Sequence, residues 1–521
     1  MPSDLTRGQR IIVTIGVMLA MLLAALDQTI VGTALPRIVS ELQGLDFYAW
    51  VATSYLVAST TMTPIAGKLG DLFGRKPMFL IGMVGFVLAS ALCGQAQDMV
   101  ELVAVRGLQG LFAGVLMSTA FASIGELYTP MQRARVQGAF GGVFGLASII
   151  GPTVGGYLTD NLSWRWVFYV NLPVGILAIL VILFSMPYVK SKASWRDIDF
   201  VGAFALAAGL VPLLIAFSLS STHGWGSPEV LALFAVAAAV LVGFFFIERR
   251  TAHPVVPFEL FRDRTFTVSV VTTFFVSVGM FGSILFVPII YQGVLGVSAT
   301  NSGALITPMM FGLIGASIMT GQLMTRIRYY RFLGTVGIAI LLVGLWLLSQ
   351  VSVTTQGIEI VRDLVIVGLG VGATMPLYIN AVQSSAPRHL LGVVSSQIQL
   401  WRQLGGTIGI AVLGSVLAQQ LPARIAEQVR SLDLSPAART ALAQGGGNAQ
   451  SLFDPARLAA IPAPVLQAVR TALAGTIHDL FLYASVAVVF ALVASVFLAD
   501  VPLRGRERGR TATEASPAFG D

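Results

Sequence analysis

Apolar runs long enough to cross a bilayer recur about fourteen times along this chain, and mostly short polar segments separate them. A bilayer core is ~30 Å thick and takes ~20 apolar residues per α-helix. The pattern predicts helices over 11–35, 49–69, 78–96, 100–124, 137–159, 165–187, 199–220, 229–248, 265–291, 301–324, 332–351, 360–383, 393–420 and 477–500. Very short turns near Gln97 and Asn161 favour a compact bundle. The chain is therefore predicted to be an all-α polytopic membrane protein.

The amino-acid composition supports this prediction and excludes other classes. The 521 residues are 55% hydrophobic and 11% charged, with a mean hydropathy of +0.82, whereas soluble domains carry ~25% charged residues. The net charge of +7 is scattered over short loops and forms no basic stripe, so we expect contact with the lipid bilayer and its anionic headgroups and none with nucleic acid. The single cysteine, Cys93, excludes an internal disulfide and a cysteine-rich metal site, and no cofactor is expected.

The positions of lysine and arginine predict the orientation in the membrane. If the N-terminus is cytoplasmic, 22 of the 32 basic residues lie on the cytoplasmic side, and the short outer loops hold only Arg37, Arg165 and Arg362. This bias follows the positive-inside rule. We therefore expect an uncleaved first helix, both termini in the cytoplasm, and a location in a bacterial-type plasma (inner) membrane.

One outer loop, over about 421–476, is much longer than the others. Its stretches 422–444 and 455–474 have amphipathic helical patterns, and glycines at 445–447 separate them. Such stretches either extend the flanking helices outward or lie on the membrane surface. The sequence does not decide between these arrangements and simple loop filler.

Six short motifs lie in or between the predicted helices. In chain order they are Leu26–Val31 with Ala34–Pro36, Gly67–Pro77, Arg106–Gly110, Gly145 with Gly151–Gly156, Ser163–Phe168 with Asn171–Pro173, and Arg402–Gly406. Together they resemble the motifs of the major facilitator superfamily, and in particular its fourteen-helix drug:proton antiporter branch. A fainter copy of the second motif runs from Gly321 to Arg328, with Thr325 where Asp71 stands. The second motif departs from the family at Leu72, where a basic residue is common.

The resemblance implies an arrangement of domains. A six-helix N-terminal bundle is expected over 1–190, two inserted linker helices over 191–260, and a six-helix C-terminal bundle over 261–503 that contains the 421–476 insertion. A polar, disordered cytoplasmic tail is expected over 504–521. The two bundles would rock around a cavity near the membrane midplane, as in other doubled transporters.

The segment Gly67–Pro77 is predicted to form a cytoplasmic gate. The candidate gate residues are Gly67, Gly70, Asp71, Gly74, Arg75, Lys76 and Glu126. The glycines permit a tight turn and close helix approach, and Asp71 can face the partial positive charge of a helix N-terminus. The resemblance makes the cluster a latch that is intact only when the cytoplasmic side is closed, with Glu126 as the candidate partner of Arg75. A positive-inside anchor without a switching role is the alternative.

The fifth predicted helix carries small residues on one face and a proline. The residues of this antiporter motif are Gly145, Gly151, Pro152, Gly155 and Gly156. Membrane helices associate through such faces, and proline inside a helix removes a backbone hydrogen bond and bends it. We expect either a flexible seam between the two halves or ordinary membrane packing.

Very few charges are predicted inside the membrane. Asp27 lies in the first helix, Arg106 in the fourth and Arg402 in the thirteenth. A charge at the bilayer centre costs ~2.5–3.5 kcal/mol by insertion scales, so such residues are usually functional or paired. Burial disfavours an ionised carboxylate and a nearby arginine favours it. Asp27 is therefore the candidate proton site, with Arg106 and Arg402 tuning it or contacting substrate, unless Asp27 only fixes the first helix by hydrogen bonds.

Aromatic and sulfur-containing side chains suggest an apolar, adaptable cavity for small hydrophobic or amphiphilic substrates. The candidate lining residues are Trp50, Tyr55, Phe281, Tyr291, Met309 and Tyr378. No acid lies deep in the predicted C-terminal helices. We therefore expect lipophilic neutral or singly charged substrates rather than dications.

No P-loop, HExxH or GxSxG motif is present, so we expect a protein that is not an enzyme and that uses an ion gradient. The expected function is proton-coupled export of hydrophobic drugs or amphiphiles by alternating access. One alternative is a lipid or lipid-precursor exporter whose 421–476 insertion guides its substrate to an extracytoplasmic acceptor protein. Deleting that insertion would then abolish lipid transfer and spare dye efflux. A membrane-embedded channel or enzyme is the remaining alternative, and a channel would keep conducting after an uncoupler.

Overall fold

The computed structural model describes residues 6–42, 47–188, 198–252, 254–295, 306–327, 330–430 and 463–499. Within these ranges the chain is helical and contains no β-strand. The α-helices are α1 (Arg7–Leu42), α2 (Tyr48–Phe73), α3 (Arg75–Gln95), α4 (Met99–Leu127), α5 (Pro130–Asn161), α6 (Trp166–Tyr169), α7 (Asn171–Ser185), α8 (Phe200–His223), α9 (Pro228–Glu248), α10 (Arg264–Ile289), α11 (Thr307–Arg326), α12 (Arg331–Ser349), α13 (Gly357–Ser385), α14 (Leu391–Arg430) and α15 (Ala463–Val496). The predicted all-α fold is confirmed.

Twelve of the described helical segments are long and apolar enough to cross a membrane, with α6 and α7 counted as one. The two other long helices, α2 and α11, correspond to the second and tenth predicted helices and are less apolar than these twelve. Each packs against helices of both groups: α2 against α4 and α14, and α11 against α13 and α5. Large apolar side chains such as Phe184 and Phe204 are instead 82% and 76% exposed, as expected of a surface that faces lipid.

The helices form two groups that meet along two lines. In the first group α1 packs against α5 and α7, and α4 packs against α2 and α3. In the second, α10 packs against α14 and α15, and α13 packs against α11 and α12. The groups contact each other through α5 with α11 and through α2 with α14, while α8 and α9 pair together and α8 lies beside α2 and α14. This arrangement is that of two six-helix bundles with two inserted helices; the exact domain boundaries stay a prediction.

Local sequence sets several helix boundaries. Thr129 and Gln132 form a capping box at α5 and Pro130 occupies its first turn, so this helix begins seven residues before the predicted 137. The sixth predicted helix is interrupted at Val170, between α6 and α7. Pro173 has no N–H to donate to the carbonyl of Tyr169, which explains the interruption.

The ends of α14 and α15 decide between the alternatives for the described parts of the long outer loop. Its described parts, 421–430 and 463–476, are continuous with these two helices, so they are not loop filler. The Nη2 atom of Arg424 donates a hydrogen bond to Oδ2 of Asp479 at 2.5 Å and ties the two extensions together. At ~1.5 Å per residue the 40 residues of α14 span about twice the bilayer core. Residues 431–462 and the predicted tail over 504–521 lie outside the described residues.

Candidate functional site

The side chain of Asp27 lies in the interior of the first helix group with no exposure. Its Oδ2 atom accepts a hydrogen bond from Nη1 of Arg106 at 2.5 Å. Its Oδ1 atom accepts from Nε2 of Gln109 at 2.9 Å and from Nδ2 of Asn171 at 2.8 Å. Helices α1, α4 and α7 therefore supply one carboxylate and three donors that satisfy it.

A second layer of contacts fixes these donors. Asn171 also donates to Oγ of Ser90 on α3 at 3.0 Å, and it stands at the interruption between α6 and α7 that Pro173 causes. The Nη1 atom of Arg106 donates to Oε1 of Gln109 at 2.7 Å. The guanidinium lies 4.3 Å from the ring centroid of Tyr55 on α2, within range of a cation–π interaction. The network thus joins five helical segments around one buried ion pair.

A separate cavity lies between the two helix groups. It is lined by Met21, Met117, Phe121, Gln137, Phe140, Gly141, Phe144, Thr273, Val276, Ser277, Met280, Val371, Thr374, Met375, Tyr378, Ile379, Ile398, Gln399 and Arg402. Its open space is about 50 Å³, against ~300–1,000 Å³ for typical pockets of drug-sized ligands. A drug-sized molecule would therefore require the two groups to move apart.

The three membrane charges do not form one cluster. Arg106 pairs with Asp27, whereas Arg402 lies in the wall of the central cavity, where its Nε atom donates to Oε1 of Gln399 at 2.9 Å. Asp27 is not among the residues that line this cavity. The geometry therefore gives Arg106 direct contact with Asp27 and places Arg402 at the cavity between the two groups.

The gate motif lies at one end of the bundle, called here the basic end, which carries the α2–α3 turn and the first residues of α5 and α14. Asp71 accepts hydrogen bonds from the backbone N–H groups of Gly392 and Val393, both at 2.9 Å, at the N-terminus of α14. Arg75 donates to Asp71 and, through Nε, to Oε1 of Glu126 at 2.7 Å. The motif thus ties α2, α3 and α4 to a helix of the other group.

Glycines and a lysine complete the gate motif. Gly74 has φ 93°, a conformation that favours glycine, and it separates α2 from α3. A Cβ atom on Gly67 would lie 2.6 Å from Cβ of Ser396, and one on Gly70 would meet the guanidinium of Arg75. The Nζ atom of Lys76 donates to the carbonyl of Leu183 at 2.7 Å. Close approach of α2 to α14 therefore depends on the absence of side chains here.

The degenerate second copy of this motif occupies the matching position in the other group. Thr325, which stands where Asp71 does, accepts a hydrogen bond from Nη2 of Arg135 at 3.4 Å, near the start of α5. A carboxylate that binds a helix N-terminus is thus present in the first copy, and a hydroxyl group occurs in the second.

Further polar contacts close the basic end, and sequence reasoning missed their centre, Gln383. Its Nε2 atom donates to the carbonyl of Phe121 at 2.9 Å and to Oγ of Ser395 at 2.8 Å. Its Oε1 atom accepts from Gln137 at 2.7 Å, and its backbone carbonyl accepts from Arg133 at 3.1 Å. Gln109, Asn171 and Gln383 share one signal that could have revealed them, an uncharged amide within or at the end of an apolar run.

The antiporter motif on α5 divides between two partners, one in the other helix group and one in its own group. Gly145 faces α11 of the other group, where a Cβ would lie 2.6 Å from Cγ1 of Ile314. Gly151 and Gly155 face α1 of their own group, against Thr29 and Thr33, and Pro152 lies inside the helix beside them. Nothing lies within 4 Å of a Cβ on Gly156. Of the motif glycines, Gly145 alone faces the other half, because the helix turns the later ones to another face.

Gly151→Ala and Gly156→Ala form a matched pair on this helix. A methyl group at 151 would overlap the side chain of Thr29, and overpacking costs ~1–3 kcal/mol. At 156 the space is open, and alanine in place of glycine favours a helix by up to ~1 kcal/mol. We expect the first variant to melt below the native protein and the second not to, measured by thermal unfolding of purified protein. Equal melting temperatures would show that α1 shifts enough to accommodate the added methyl group.

The six candidate cavity residues do not lie together. Tyr378 lines the central cavity, whereas Tyr55 is buried beside Arg106. Met309 and Tyr291 are buried in the core of the second group, and Phe281 packs at its edge against Gly406. Trp50 is half-buried at the start of α2, away from the residues that line the cavity. A sequence identifies aromatic residues but not the direction in which each helix presents them.

Comparison with known proteins identifies the family. The sequence profile of the Major Facilitator Superfamily matches residues 17–199 and 200–410. The chain belongs to the major facilitator superfamily. The predicted family is thereby confirmed, and the protein is a multi-pass membrane transporter rather than an enzyme.

Individual members of the superfamily resemble the chain over almost its whole length. It is 39% identical over 522 residues to the multidrug transporter protein MdtP of Bacillus subtilis (strain 168), covering 97% of this chain and 96% of that protein. It is 34% identical over 505 residues to multidrug resistance protein 3 of the same strain, covering 96% of each. The crystal structure of the human organic anion transporter MFSD10 (TETRAN) has a TM-score of 0.60 at 15% identity, covering 94% of this chain and 100% of that one, which shows the fold alone.

Proposed function

We propose that this transporter exports lipophilic, drug-like molecules across the cytoplasmic membrane in exchange for protons. The observation that carries the proposal is the Asp27 carboxylate, which is fully buried in a membrane-spanning helix group yet ion-paired with Arg106. The multidrug relatives support the class of substrate. Both termini and the basic end are then cytoplasmic, in accordance with the positive-inside rule.

Proton coupling follows from the chemistry of the buried pair. The ionised carboxylate accepts three hydrogen bonds, whereas a protonated one would release Arg106 and leave its guanidinium without a counter-charge. Protonation therefore favours a different arrangement of α1 and α4, and arrangements that differ in this way can alternate with access from the two sides. Arginine itself does not deprotonate, so its role is to stabilise the ionised form of Asp27.

Alternating access is supported by the contacts between the groups. At the basic end, Asp71 binds the N-terminus of α14 and Gln383 bridges three helices, which corresponds to a state closed towards the cytoplasm. The central cavity is largely apolar, and its described lining includes no acidic residue. Neutral or singly charged amphiphiles fit such a lining better than dications, because a dication would require buried carboxylates.

Transport in proteoliposomes tests the proposal. A panel of lipophilic dyes with neutral, singly negative and singly positive members is loaded, and a pH gradient is imposed across the membrane. We expect uphill dye movement that an uncoupler abolishes, together with dye-driven proton flux in the opposite direction. Dye movement that is only downhill and insensitive to the uncoupler would favour a channel or uniporter.

A lipid or lipid-precursor exporter is the second candidate, acting with an extracytoplasmic acceptor. The observation that favours it is the extension of α14 and α15 beyond the length needed to cross the bilayer. Deletion within 431–462 separates the two candidates, since only lipid transfer would depend on that segment.

A further inference from the structure

The Arg402 guanidinium has no carboxylate partner among the described residues, unlike those of Arg75 and Arg106. Arg106 pairs with Asp27, and Arg75 pairs with both Asp71 and Glu126. Among the described residues, Arg402 forms no ion pair; its Nε atom donates to Gln399, and its buried Nη1 atom has no hydrogen-bond partner. An uncompensated charge away from water is costly, so such a group is expected to meet an anion during function.

A second donor lies one helical turn away on the same face of α14. The Gln399 side chain is 2% exposed, its Oε1 atom accepts from Arg402, and its Nε2 atom has no partner. Both side chains line the central cavity between the two helix groups. The cavity wall thus offers a cation and an amide N–H, which together suit the oxygens of a carboxylate or a similar singly charged anion.

The remaining wall is suited to an apolar body. Facing the two donors are six apolar side chains from α1, α4, α5 and α10: Met21, Met117, Phe121, Phe140, Phe144 and Met280. Methionine and aromatic side chains adapt to molecules of different shape. The described residues that line the cavity include no aspartate or glutamate, so none of them balances a positive charge on a substrate.

We propose that the central cavity prefers amphiphiles with one negative charge, and that Arg402 and Gln399 bind the charged group. This inference rests on the proposed function only in that the cavity is the substrate site. The preference belongs to binding, so it does not depend on whether transport is coupled to protons.

A matched set of dyes tests the preference. 11-(Dansylamino)undecanoic acid, its methyl ester and N-dansyl-1,11-diaminoundecane, whose second amine is free, share one fluorophore and chain length and differ in charge. Their binding to the full chain in nanodiscs is measured without any gradient, at a pH where the acid is ionised and the amine protonated. We expect the acid to bind at least about tenfold more tightly than the amine, which corresponds to ~1.4 kcal/mol. Equal or tighter binding of the amine would overturn the proposal.

Substitution of Arg402 tests whether this residue causes the tighter binding of the acid. Arg402→Gln should remove the advantage of the acid and leave binding of the ester within about twofold, and Arg402→Lys should retain part of it because the charge is kept. The matched control is Arg250→Gln, an exposed arginine at the end of α9, which should change nothing. Equal losses for acid and ester in Arg402→Gln would show a structural role and contradict the inference.

Thermal unfolding distinguishes loss of the anion site from misfolding of the variant. Without ligand, Arg402→Gln should be at least as stable as the native protein, because a buried charge without a counter-ion is removed. The dansylated acid should raise the melting temperature of the native protein and not that of the variant. If instead the pH-gradient assay fails while the binding preference holds, proton coupling is wrong and the anion site stands.

Discussion

Asp27→Asn is expected to abolish uphill export while leaving downhill dye exchange measurable. Asparagine fits the site and keeps hydrogen bonds to Gln109 and Asn171, but it cannot take up or release a proton. One proton moved through 100 mV is worth ~2.3 kcal/mol, or a concentration ratio of roughly fifty. With one proton coupled to each dye molecule, the native protein should concentrate the dye across the membrane by about that ratio. The variant should leave the dye concentrations on the two sides equal. Dye accumulation and substrate-driven pH change in the same vesicles measure both.

The variant carries a structural cost that must be separated from the loss of coupling. It leaves Arg106 buried without a counter-charge, and breaking a buried pair in this way costs ~3–5 kcal/mol. The double variant Asp27→Asn with Arg106→Gln removes both charges and should recover much of the lost stability while remaining uncoupled. Asp160→Asn, at an exposed acid near the end of α5, is the control and should behave as native. Normal coupling in a folded Asp27→Asn protein would show that Asp27 only holds α1 in place through its hydrogen bonds.

Much of the fold could be predicted because bilayer thickness imposes a length on every apolar run. The predictions failed where another effect set the structure. Pro173 interrupts the sixth helix although the apolar run continues, and the interruption places Asn171 beside Asp27. The outward extension of α14 and α15 was one of several alternatives and stayed undecided, because an amphipathic pattern beyond the membrane carries no information from bilayer thickness.

The candidate site was less accessible to sequence reasoning, because its contacts depend on how each helix is rotated. Asp27 and Arg106 are 79 positions apart and bond to each other, whereas Arg402 looked equivalent in sequence and lies in a different place. The same uncertainty explains why Gly145 and Gly151, six positions apart on one helix, face different partners. Residue type indicated which side chains were unusual in a membrane, and only packing decided what each one contacts.

Asp71→Asn is expected to open the basic end of the resting protein. The native carboxylate accepts hydrogen bonds from Gly392 and Val393 at the N-terminus of α14 and pairs with Arg75. An amide offers one acceptor and no charge, and hydrogen bonds to charged groups are worth ~1.5–3 kcal/mol. The balance between closed and open states should therefore shift by about ten- to a hundredfold, and export should fall because the cytoplasmic side no longer stays closed.

Labelling of one introduced cysteine measures this opening. Ser396 is fully buried against Gly67, and Cys93, the only native cysteine, can be replaced by serine. In the Cys93→Ser, Ser396→Cys background, a membrane-impermeant maleimide applied from the cytoplasmic side should react slowly, and Asp71→Asn should accelerate the reaction in proportion to the shift. Thr325→Val, at the matching position of the second copy, is the control and should accelerate it far less, because a hydroxyl there holds no helix N-terminus by charge. Unchanged labelling in Asp71→Asn would mean that the motif only anchors the loop, and the closed end would then depend on Gln383 and its partners.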